Sequence, residues 1–236
     1  MVTAEEKLVL QSYWNAENHI ASKMPDYCET ATRALFDKIL PNVNEKKILD
    51  IGCGHGQTLE YFRQRGALPY GVDMSPESVR VARQHGFFVE EGDCCALPYK
   101  DATFDVVFSI GVIEHFDATK KAIAEHIRVL RPGGIAIIIV PNLLSITYLG
   151  AIAWHFVRGH FLKYSVKTTT GKGYTTGYFR RMLEDGKARS ITVRGYYGSA
   201  FLKPLTKTKW ITVPRWIDNS PYSIYFGHLL AGIYEK

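Results

Sequence analysis

The sequence predicts an α/β fold in which a mostly parallel sheet is covered by helices on both faces. Two observations support this prediction. From residue 46 onward, short apolar runs that are typical of buried strands alternate with segments whose apolar residues recur at helical spacing. In addition, the first apolar run leads directly into a glycine-rich loop and a helix start, an order that is typical of ligand-binding α/β sheets.

Each predicted element follows from a local pattern. Strands are expected at 47–51, 87–90, 104–110 and 135–140, and a further strand is expected to end at Asp73. The expected helices between them cover 57–64, 75–84 and 119–130. Ser75 and Pro76 support the second of these helices, because an N-cap serine followed by proline is a frequent helix start. Outside this series, residues 5–40 are expected to be helical with an interruption at Pro25, and short strands are expected at 190–197 and 223–230.

The chain of 236 residues is long enough for one domain with a well-buried core. We expect N-terminal helices in 1–45, a cofactor-binding core in 46–141, an inserted cap in 142–185 whose basic part from 158 is partly loop, and C-terminal strands in 186–236. Residues 135–157 contain no Lys, Arg, Asp or Glu, but Pro141 interrupts them. The remaining stretch, 143–157, is shorter than the ~20 residues of a membrane-spanning helix, so we expect a buried or interfacial helix.

The loop after the first strand carries the strongest chemical signal. Asp50 lies near the end of the strand, and Gly52, Gly54 and Gly56 then alternate with other residues, beginning with Cys53. Glycines at this spacing let the backbone turn sharply and approach a bound ligand, which the first N–H groups of the next helix also face. The spacing differs from the GxGxxG of dinucleotide-binding folds. The loop therefore predicts a site for a nucleotide-like cofactor.

Two further carboxylates follow the next two strands. Asp73 is placed to accept hydrogen bonds from both hydroxyls of a ribose, and the neighbouring Met74 can pack on a purine face. Asp93 can accept a hydrogen bond from an amino group of adenine, while the backbone of Cys94 contacts the ring. The alternative for each carboxylate is an ordinary cap or turn. The strand 104–110 then delivers the chain over the same pocket, because ligands lie at the carboxyl ends of strands in such sheets.

These elements, in this order and followed by Leu130-Arg131-Pro132-Gly133-Gly134, resemble the class I S-adenosylmethionine-dependent methyltransferases, and in particular the type 11 group. The resemblance covers residues 46–141. It implies a Rossmann-like, seven-stranded sheet, S-adenosylmethionine as cofactor and S-adenosylhomocysteine as product. It also implies which part of the cofactor each residue contacts: Asp50 and the glycine loop the methionine part, Asp73 the ribose, Asp93 the adenine and the Ile110 carbonyl the methionine ammonium group.

The remainder of the chain is similar, more weakly, to O-methyltransferases of ubiquinone biosynthesis. Those enzymes also carry Glu-His after the fourth strand, as Glu114-His115 here, and an apolar, then basic insertion that contacts the membrane, matched here by 142–172. Their N-terminal helices place an aromatic pair and an arginine near the cofactor carboxylate, which corresponds to Tyr13-Trp14 and Arg33. Gly111 stands where these relatives have a metal-binding carboxylate, so we expect no metal.

Methyl transfer requires a nucleophile in line with the sulfonium methyl, and a hydroxyl nucleophile benefits from a base. His115 is the first candidate for this base, because histidine titrates near neutral pH and this one follows the strand that ends at the cofactor. The alternative is a structural role within the turn 114–117. Less favoured candidates for the base are His19, His155 and His160.

The net charge of +6 is unevenly distributed. Residues 143–236 contain 14 Lys and Arg against 4 Asp and Glu, and 17 of the 30 aromatic residues. This composition favours an anionic partner, such as a membrane surface or an acidic substrate, or else a solvated basic surface around an aromatic core. The 143–157 helix followed by basic residues fits an anionic membrane interface, with a cap helix as the alternative. No nucleic-acid-binding motif is visible.

Together these patterns predict a methyltransferase that acts on oxygen of a small or amphipathic, lipid-like molecule. An N-methyltransferase of a small amine stays open, as does a non-catalytic cofactor-fold protein that binds a partner or membrane through its basic half. The four cysteines lack metal-ligand spacing, and the N-terminus lacks signal-peptide features. We therefore expect a cytoplasmic protein with peripheral membrane contact, and the sequence leaves its oligomeric state open.

Overall fold

The computed structural model describes residues 26–145, 173–185, 189–196 and 229–236. The strands in these ranges are β1 (Lys47–Ile51), β2 (Leu68–Asp73), β3 (Phe88–Glu91), β4 (Phe104–Ile110), β5 (Leu130–Pro141), β6 (Arg189–Tyr196) and β7 (Leu229–Glu235). The helices are α1 (Asp26–Ile39), α2 (Gln57–Gln64), α3 (Pro76–Gln84), α4 (Thr119–Val129) and α5 (Thr176–Asp185), and a 3₁₀ turn covers Ile113–His115.

The described strands form one seven-stranded sheet in the order β3-β2-β1-β4-β5-β7-β6. Strands β1 to β5 pair in parallel, and β7 is antiparallel to both β5 and β6. The strand order changes direction at β1, which has β2 on one side and β4 on the other. Sheets of this kind bind ligands at the carboxyl ends of the strands beside such a switch point. The predicted mostly parallel α/β fold is confirmed.

The central strands are apolar because both of their faces are covered. On one face Phe36 of α1 and Phe62 of α2 pack against Phe108 of β4, with ring centroids 5.0–5.3 Å apart. On the other face the core includes Ile123 of α4 and Leu183 of α5, both fully buried. Burying a large aliphatic or aromatic side chain stabilises the fold by about 1.5–3 kcal/mol, so these two layers hold the sheet rigid beneath the loops at its carboxyl edge.

Local chemistry explains the helix that begins at Pro76. The Ser75 hydroxyl accepts a hydrogen bond from the N–H of Ser78 at 3.2 Å, and Pro76 occupies the first helical position. This start is the one predicted from the sequence. The fifth strand is longer than predicted, because it begins at Leu130, which pairs with Phe104 before a register shift. The Pro-Gly-Gly expected to end a helix therefore lies in an irregular first part of the strand.

The C-terminal half adds detail to two expectations. The strand expected at 223–230 extends to Glu235, because it pairs with β5 and β6 over Leu229–Glu235; residues 223–228 lie outside the described ranges. The segment 158–185, expected to be partly loop, ends in the helix α5, whose buried face contains Phe179, Met182 and Leu183. The helix expected at 143–157 lies almost wholly outside the described residues. Of the described helices, none has the length and apolar character needed to cross a membrane.

Candidate active site

A cavity lies at the carboxyl ends of β1, β2 and β4. Six of the predicted cofactor residues line it. The full lining is Ile51, Gly52, Gly54, Val72, Asp73, Met74, Ser78, Gly92, Cys94, Ile110, Gly111, Val112 and Phe116.

The glycine loop is shaped by contacts that exclude larger residues. Gly52 has a φ of +79°, and a Cβ built on it would lie 2.4 Å from Cγ2 of Val112. At Gly54 an added Cβ would meet no atom within 4 Å, because that side of the residue faces open space. Gly52 is therefore required for packing, whereas Gly54 leaves room beside the backbone for a ligand.

Asp73 connects the glycine loop to the end of β2. Its carboxylate accepts hydrogen bonds from the N–H of Gly54 at 2.9 Å and from the N–H of Ser75 at 2.8 Å. Burial raises the pKa of Asp73, and these hydrogen bonds oppose that effect by favouring the charged form. A third backbone hydrogen bond, from Met74, has the same effect, so about one of the four acceptor positions of the carboxylate remains for a ligand hydroxyl.

Asp50 and Cys53 flank the cavity without being among its lining residues. Asp50 is 3% exposed, and burial together with the nearby charge of Asp73 raises its pKa well above the usual range. Burial also raises the pKa of Cys53, whose thiol fits against the Cα of Gly71. Gly56 lies further along, where it is the left-handed N-cap residue of α2. Contacts from these three residues to a cofactor stay predictions.

The loop after β3 brings three potential ligand groups together. Gly92 and Cys94 line the cavity, while Asp93 lies between them and accepts the N–H of Cys95 at 2.8 Å. The thiols of Cys94 and Cys95 are 4.0 Å apart. Their mutual hydrogen bond lowers the pKa of Cys95 and raises that of Cys94. Cys95 was not among the predicted site residues, although the Asp-Cys-Cys run was visible in the sequence.

The chain leaving β4 forms the wall of the cavity next to the glycine loop. Gly111, with a φ of +67°, donates its N–H to the carbonyl of Ile139 at 3.0 Å, which holds this segment against β5. His115 follows on the 3₁₀ turn. Burial lowers its pKa, and a hydrogen bond to the Gly111 backbone opposes the change. The imidazole is therefore neutral at physiological pH, although it is not one of the lining residues.

Glu114 is a buried carboxyl group that was not among the predicted site residues. It is 2% exposed, and burial raises its pKa to about 8. Its Oε2 has no hydrogen-bond partner within the part of the chain that the structure describes. Its Oε1 lies 3.6 Å from the position of a Cβ on Gly111, directly behind the cavity wall. The signal in the sequence was an ionisable residue inside the apolar run 110–116.

The remaining predicted residues lie away from the cavity or outside the described ranges. Arg33 is on the exposed side of α1, with its guanidinium over the Tyr61 ring at 5.5 Å from the centroid, and it is not a lining residue. Its contact with the cofactor stays a prediction. The candidates outside the described residues are Tyr13, Trp14, His19, His155 and His160.

The sheet order and the glycine loop beside a strand-end carboxylate define a Rossmann-like α/β domain of the nucleotide-cofactor type. Residues 49–138 match the type 11 family model described as "Methyltransferase domain". These residues, which are less than half of the chain, are therefore similar to methyltransferase domains, and this is the resemblance that the sequence predicted.

Curated relatives carry different methyltransferase names. Norajmaline N-methyltransferase of Rauvolfia serpentina is 40% identical over 108 residues, which are 42% of this chain and 37% of the relative. Ubiquinone biosynthesis O-methyltransferase of Idiomarina loihiensis is 37% identical over 98 residues, which are 38% of this chain and 40% of the relative. The chain thus spans less than half of the length of these relatives.

Solved structures extend the likeness over most of the chain. A SAM-dependent methyltransferase of Thermotoga maritima, a possible histamine N-methyltransferase, has a TM-score of 0.61 with 19% identity and covers 84% of this chain and 85% of its own. A putative methyltransferase of Haloferax volcanii in complex with the Trm112 activator has a TM-score of 0.65 with 20% identity, covering 94% and 93%. At these identities the comparison establishes the fold.

Proposed function

We propose that the protein transfers the methyl group of S-adenosylmethionine to an oxygen atom of a small or amphipathic acceptor and releases S-adenosylhomocysteine. The observation that carries this proposal is the cavity at the carboxyl ends of β1, β2 and β4, bounded by the glycine loop and Asp73. The similarity of residues 49–138 to methyltransferase domains supports it, since the same residues form this cavity.

The residues present fit the cofactor. The open space beside Gly54 accommodates a group that a Cβ would otherwise displace, and the remaining acceptor position of Asp73 suits a ribose hydroxyl. Met74 and Cys94 offer apolar surface to a purine ring, both being almost fully buried around the cavity. The bound cofactor supplies an electrophilic methyl group on a sulfonium. The protein contributes orientation and exclusion of water, which can lower the barrier by about 7–11 kcal/mol in well-oriented reactions.

His115 is the proposed base for a hydroxyl acceptor. Its lowered pKa keeps the imidazole neutral, and the neighbouring Gly111 and Phe116 line the cavity. The neutral ring takes the acceptor proton as the oxygen attacks the methyl group. As the family resemblance implies, Asp93 is proposed to bind the adenine and the Ile110 carbonyl is proposed to bind the methionine ammonium group.

N-methylation of a small amine is the second candidate function. Glu114 favours it, because a cationic amine on the other side of the wall at Gly111 would favour the charged form of this buried carboxyl group, whose Oε2 has no partner among the described residues. The N-methyltransferase among the relatives supports the same candidate. The third candidate is a non-catalytic protein that uses the cofactor fold for binding. In that case no methyl group is transferred from the cofactor.

Calorimetry and product analysis test the main proposal. The wild-type protein, the Asp73→Asn variant and an Asp101→Asn control are titrated with S-adenosylmethionine and S-adenosylhomocysteine. Asp101 is an exposed carboxylate that pairs with Arg128. We expect binding by the wild type and the control, and roughly 10- to 100-fold weaker binding by Asp73→Asn, because hydrogen bonds to a charged group contribute about 1.5–3 kcal/mol. Absence of wild-type binding at high micromolar ligand would contradict the proposal.

Isotope-labelled cofactor then identifies the acceptor atom. The protein is incubated with a panel of phenols, aliphatic alcohols and amines, and labelled products are located by mass spectrometry. Label on oxygen supports the first candidate, and label on nitrogen supports the second. Cofactor binding without transfer to any acceptor favours the non-catalytic alternative.

Peripheral contact with anionic membranes is proposed separately, from the basic excess in residues 143–236. Flotation with vesicles that contain phosphatidylserine tests this contact, with neutral phosphatidylcholine vesicles as the control. We expect flotation only with the anionic vesicles. Protein that stays in solution with both vesicle types contradicts membrane contact and leaves the methyltransferase proposal unaffected.

A further inference from the structure

Asp93, Cys94 and Cys95 form a compact cluster of potential metal ligands beside the cavity. One carboxylate oxygen and the two sulfur atoms all lie within 4.8 Å of one another. Both cysteines are free thiols that are buried, with 4% and 2% exposure. Two adjacent thiols with a carboxylate at this range combine soft and hard donors in one place.

The spacing of the sulfur atoms suits a bidentate metal centre. In tetrahedral zinc sites the zinc–sulfur bond is about 2.3 Å, which places two ligating sulfurs about 3.8 Å apart. The observed separation of Cys94 Sγ and Cys95 Sγ is 4.0 Å, so both thiolates can ligate one ion with little rearrangement. The carboxylate is already oriented, because its Oδ1 accepts the N–H of Cys95 at 2.8 Å.

The surroundings permit this use of the thiols. Cys95 Sγ lies 3.7 Å from the carbonyl of Ala118 and 4.0 Å from Cys94 Sγ, which are weak contacts that a metal–sulfur bond can replace. Cys94 lines the cavity, so an ion that enters the cavity reaches this residue directly. Small buried cysteines also serve as ordinary packing residues. Packing does not require two adjacent thiols to face each other beside a carboxylate.

We propose that Asp93, Cys94 and Cys95 bind a thiophilic divalent metal ion of the zinc and cadmium class, and that this ion and the cofactor compete. The metal replaces the two thiol protons, which pass to the solvent, and no electrons are transferred. Water completes the coordination. The competition rests on the proposed function, in which Cys94 contacts the adenine ring, whereas the metal site itself does not.

Titration of the reduced wild-type protein with Cd²⁺ tests the metal site. We expect one ion per chain and the ultraviolet charge-transfer absorption of two cadmium–thiolate bonds. Cys94→Ser and Cys95→Ser are each expected to lose about half of this absorption, and the double variant all of it. Cys53→Ser, which removes a buried thiol outside the cluster, is expected to keep it. A missing signal in the wild type, or an unchanged signal in the double variant, would overturn the proposal.

A second measurement keeps the test valid if a serine variant does not fold. Stoichiometric Cd²⁺ is added to the wild type before alkylation with iodoacetamide in urea below the unfolding midpoint, where the buried thiols become transiently accessible, and labelled peptides are analysed by mass spectrometry. Protection of Cys94 and Cys95 but not of Cys53 supports the site, while equal labelling with and without cadmium refutes it. Calorimetry with S-adenosylhomocysteine in the presence of Cd²⁺ then measures whether the ion lowers the affinity for this ligand. Unaltered ligand affinity in a cadmium-loaded protein contradicts the competition while leaving the metal site standing.

Discussion

The N–H of Gly54 donates a 2.9 Å hydrogen bond to Oδ2 of Asp73, which ties the loop after β1 to the carboxylate that ends β2. The two elements are adjacent parallel strands, so their carboxyl ends meet at the same edge of the sheet. One carboxylate therefore holds the glycine loop in place and also lines the cavity. The shape of the site depends on this link as much as on the glycines themselves.

The packing of Gly52 predicts a specific loss of stability. In Gly52→Ala the left-handed φ of +79° costs about 1–2 kcal/mol, and the clash of the new Cβ with Val112 adds about 1–3 kcal/mol. Gly133→Ala is the matched control, since its φ is +73° but its Cβ would meet no atom within 4 Å. Chemical denaturation of both variants measures the difference. Equal losses in the two variants would show that the contact with Val112 is unimportant.

Glu114 predicts a stability that falls as the solution becomes more alkaline. Its pKa is about 8 in the folded protein against 4.5 for an ordinary Glu, so the folded state retains a proton that the unfolded state has lost. Stability is full below pH 4.5 and falls as pH rises to about 8, by roughly 5 kcal/mol at most. In Glu114→Gln we expect this decline to disappear.

Urea denaturation at a series of pH values measures the effect of Glu114. Glu125→Gln is a control, because the pKa of Glu125 is lowered by its hydrogen bond with Arg128. If wild type and Glu114→Gln lose stability in parallel between pH 4.5 and about 8, the buried carboxyl group is not the cause.

His115 predicts a pH-dependent turnover, provided that the proposed function is correct. Since burial lowers its pKa, the neutral base is already formed near neutral pH, and kcat falls only as the imidazole is protonated at lower pH. In His115→Gln we expect kcat to fall by about 10²- to 10⁴-fold while the dissociation constant of S-adenosylmethionine changes little. His85, at the C-terminal end of α3, provides a control substitution. Near-full turnover in His115→Gln would assign His115 a structural role.

Features determined by local chemistry were predictable from the sequence, and those determined by distant pairing were not. The N-cap at Ser75 and the turn at Gly52 are encoded within a few residues, and both were expected where they occur. The bounds of β7 depend on its position between β5 and β6, which no local pattern specifies. The spacing of Phe179, Met182 and Leu183 does indicate a helix, but the basic composition around it favoured a loop.

In the site, too, some contacts could be predicted from the sequence and others could not. Asp73 and Gly54 could be assigned to one cavity because parallel strands end at one edge. The short distance between Glu114 and Gly111 could not be predicted. It depends on the backbone turn at Gly111, with a φ of +67°, and on the packing of the core that contains residues of α4 and Tyr174. Likewise, the 4.0 Å separation of the adjacent thiols is a matter of side-chain rotation, which the sequence does not specify.

His126 predicts a loss of stability on the acidic side. The ring is fully buried, with Nδ1 at 2.7 Å from the carbonyl of Ala122 and Nε2 at 2.9 Å from Oγ of Ser109. The carbonyl can only accept, so Nδ1 carries the proton and the Ser109 hydroxyl donates to Nε2. Burial lowers the pKa of His126 to about 4 from 6.5, which means that acid protonates the unfolded state first.

The contribution of His126 is therefore fully present above pH 6.5 and is lost as pH falls to about 4, by roughly 3 kcal/mol. Denaturation of the wild type and His126→Gln across this range measures it. The glutamine variant is expected to be less stable at neutral pH, because the paired hydrogen bonds to α4 and β4 are altered, and to show a shallower decline in acid. Ser109→Ala keeps the imidazole but removes the hydroxyl that donates to the neutral Nε2, so the folded-state pKa should rise and the acid decline should be smaller and end at a higher pH. An identical acid decline in all three proteins would assign the effect to other groups.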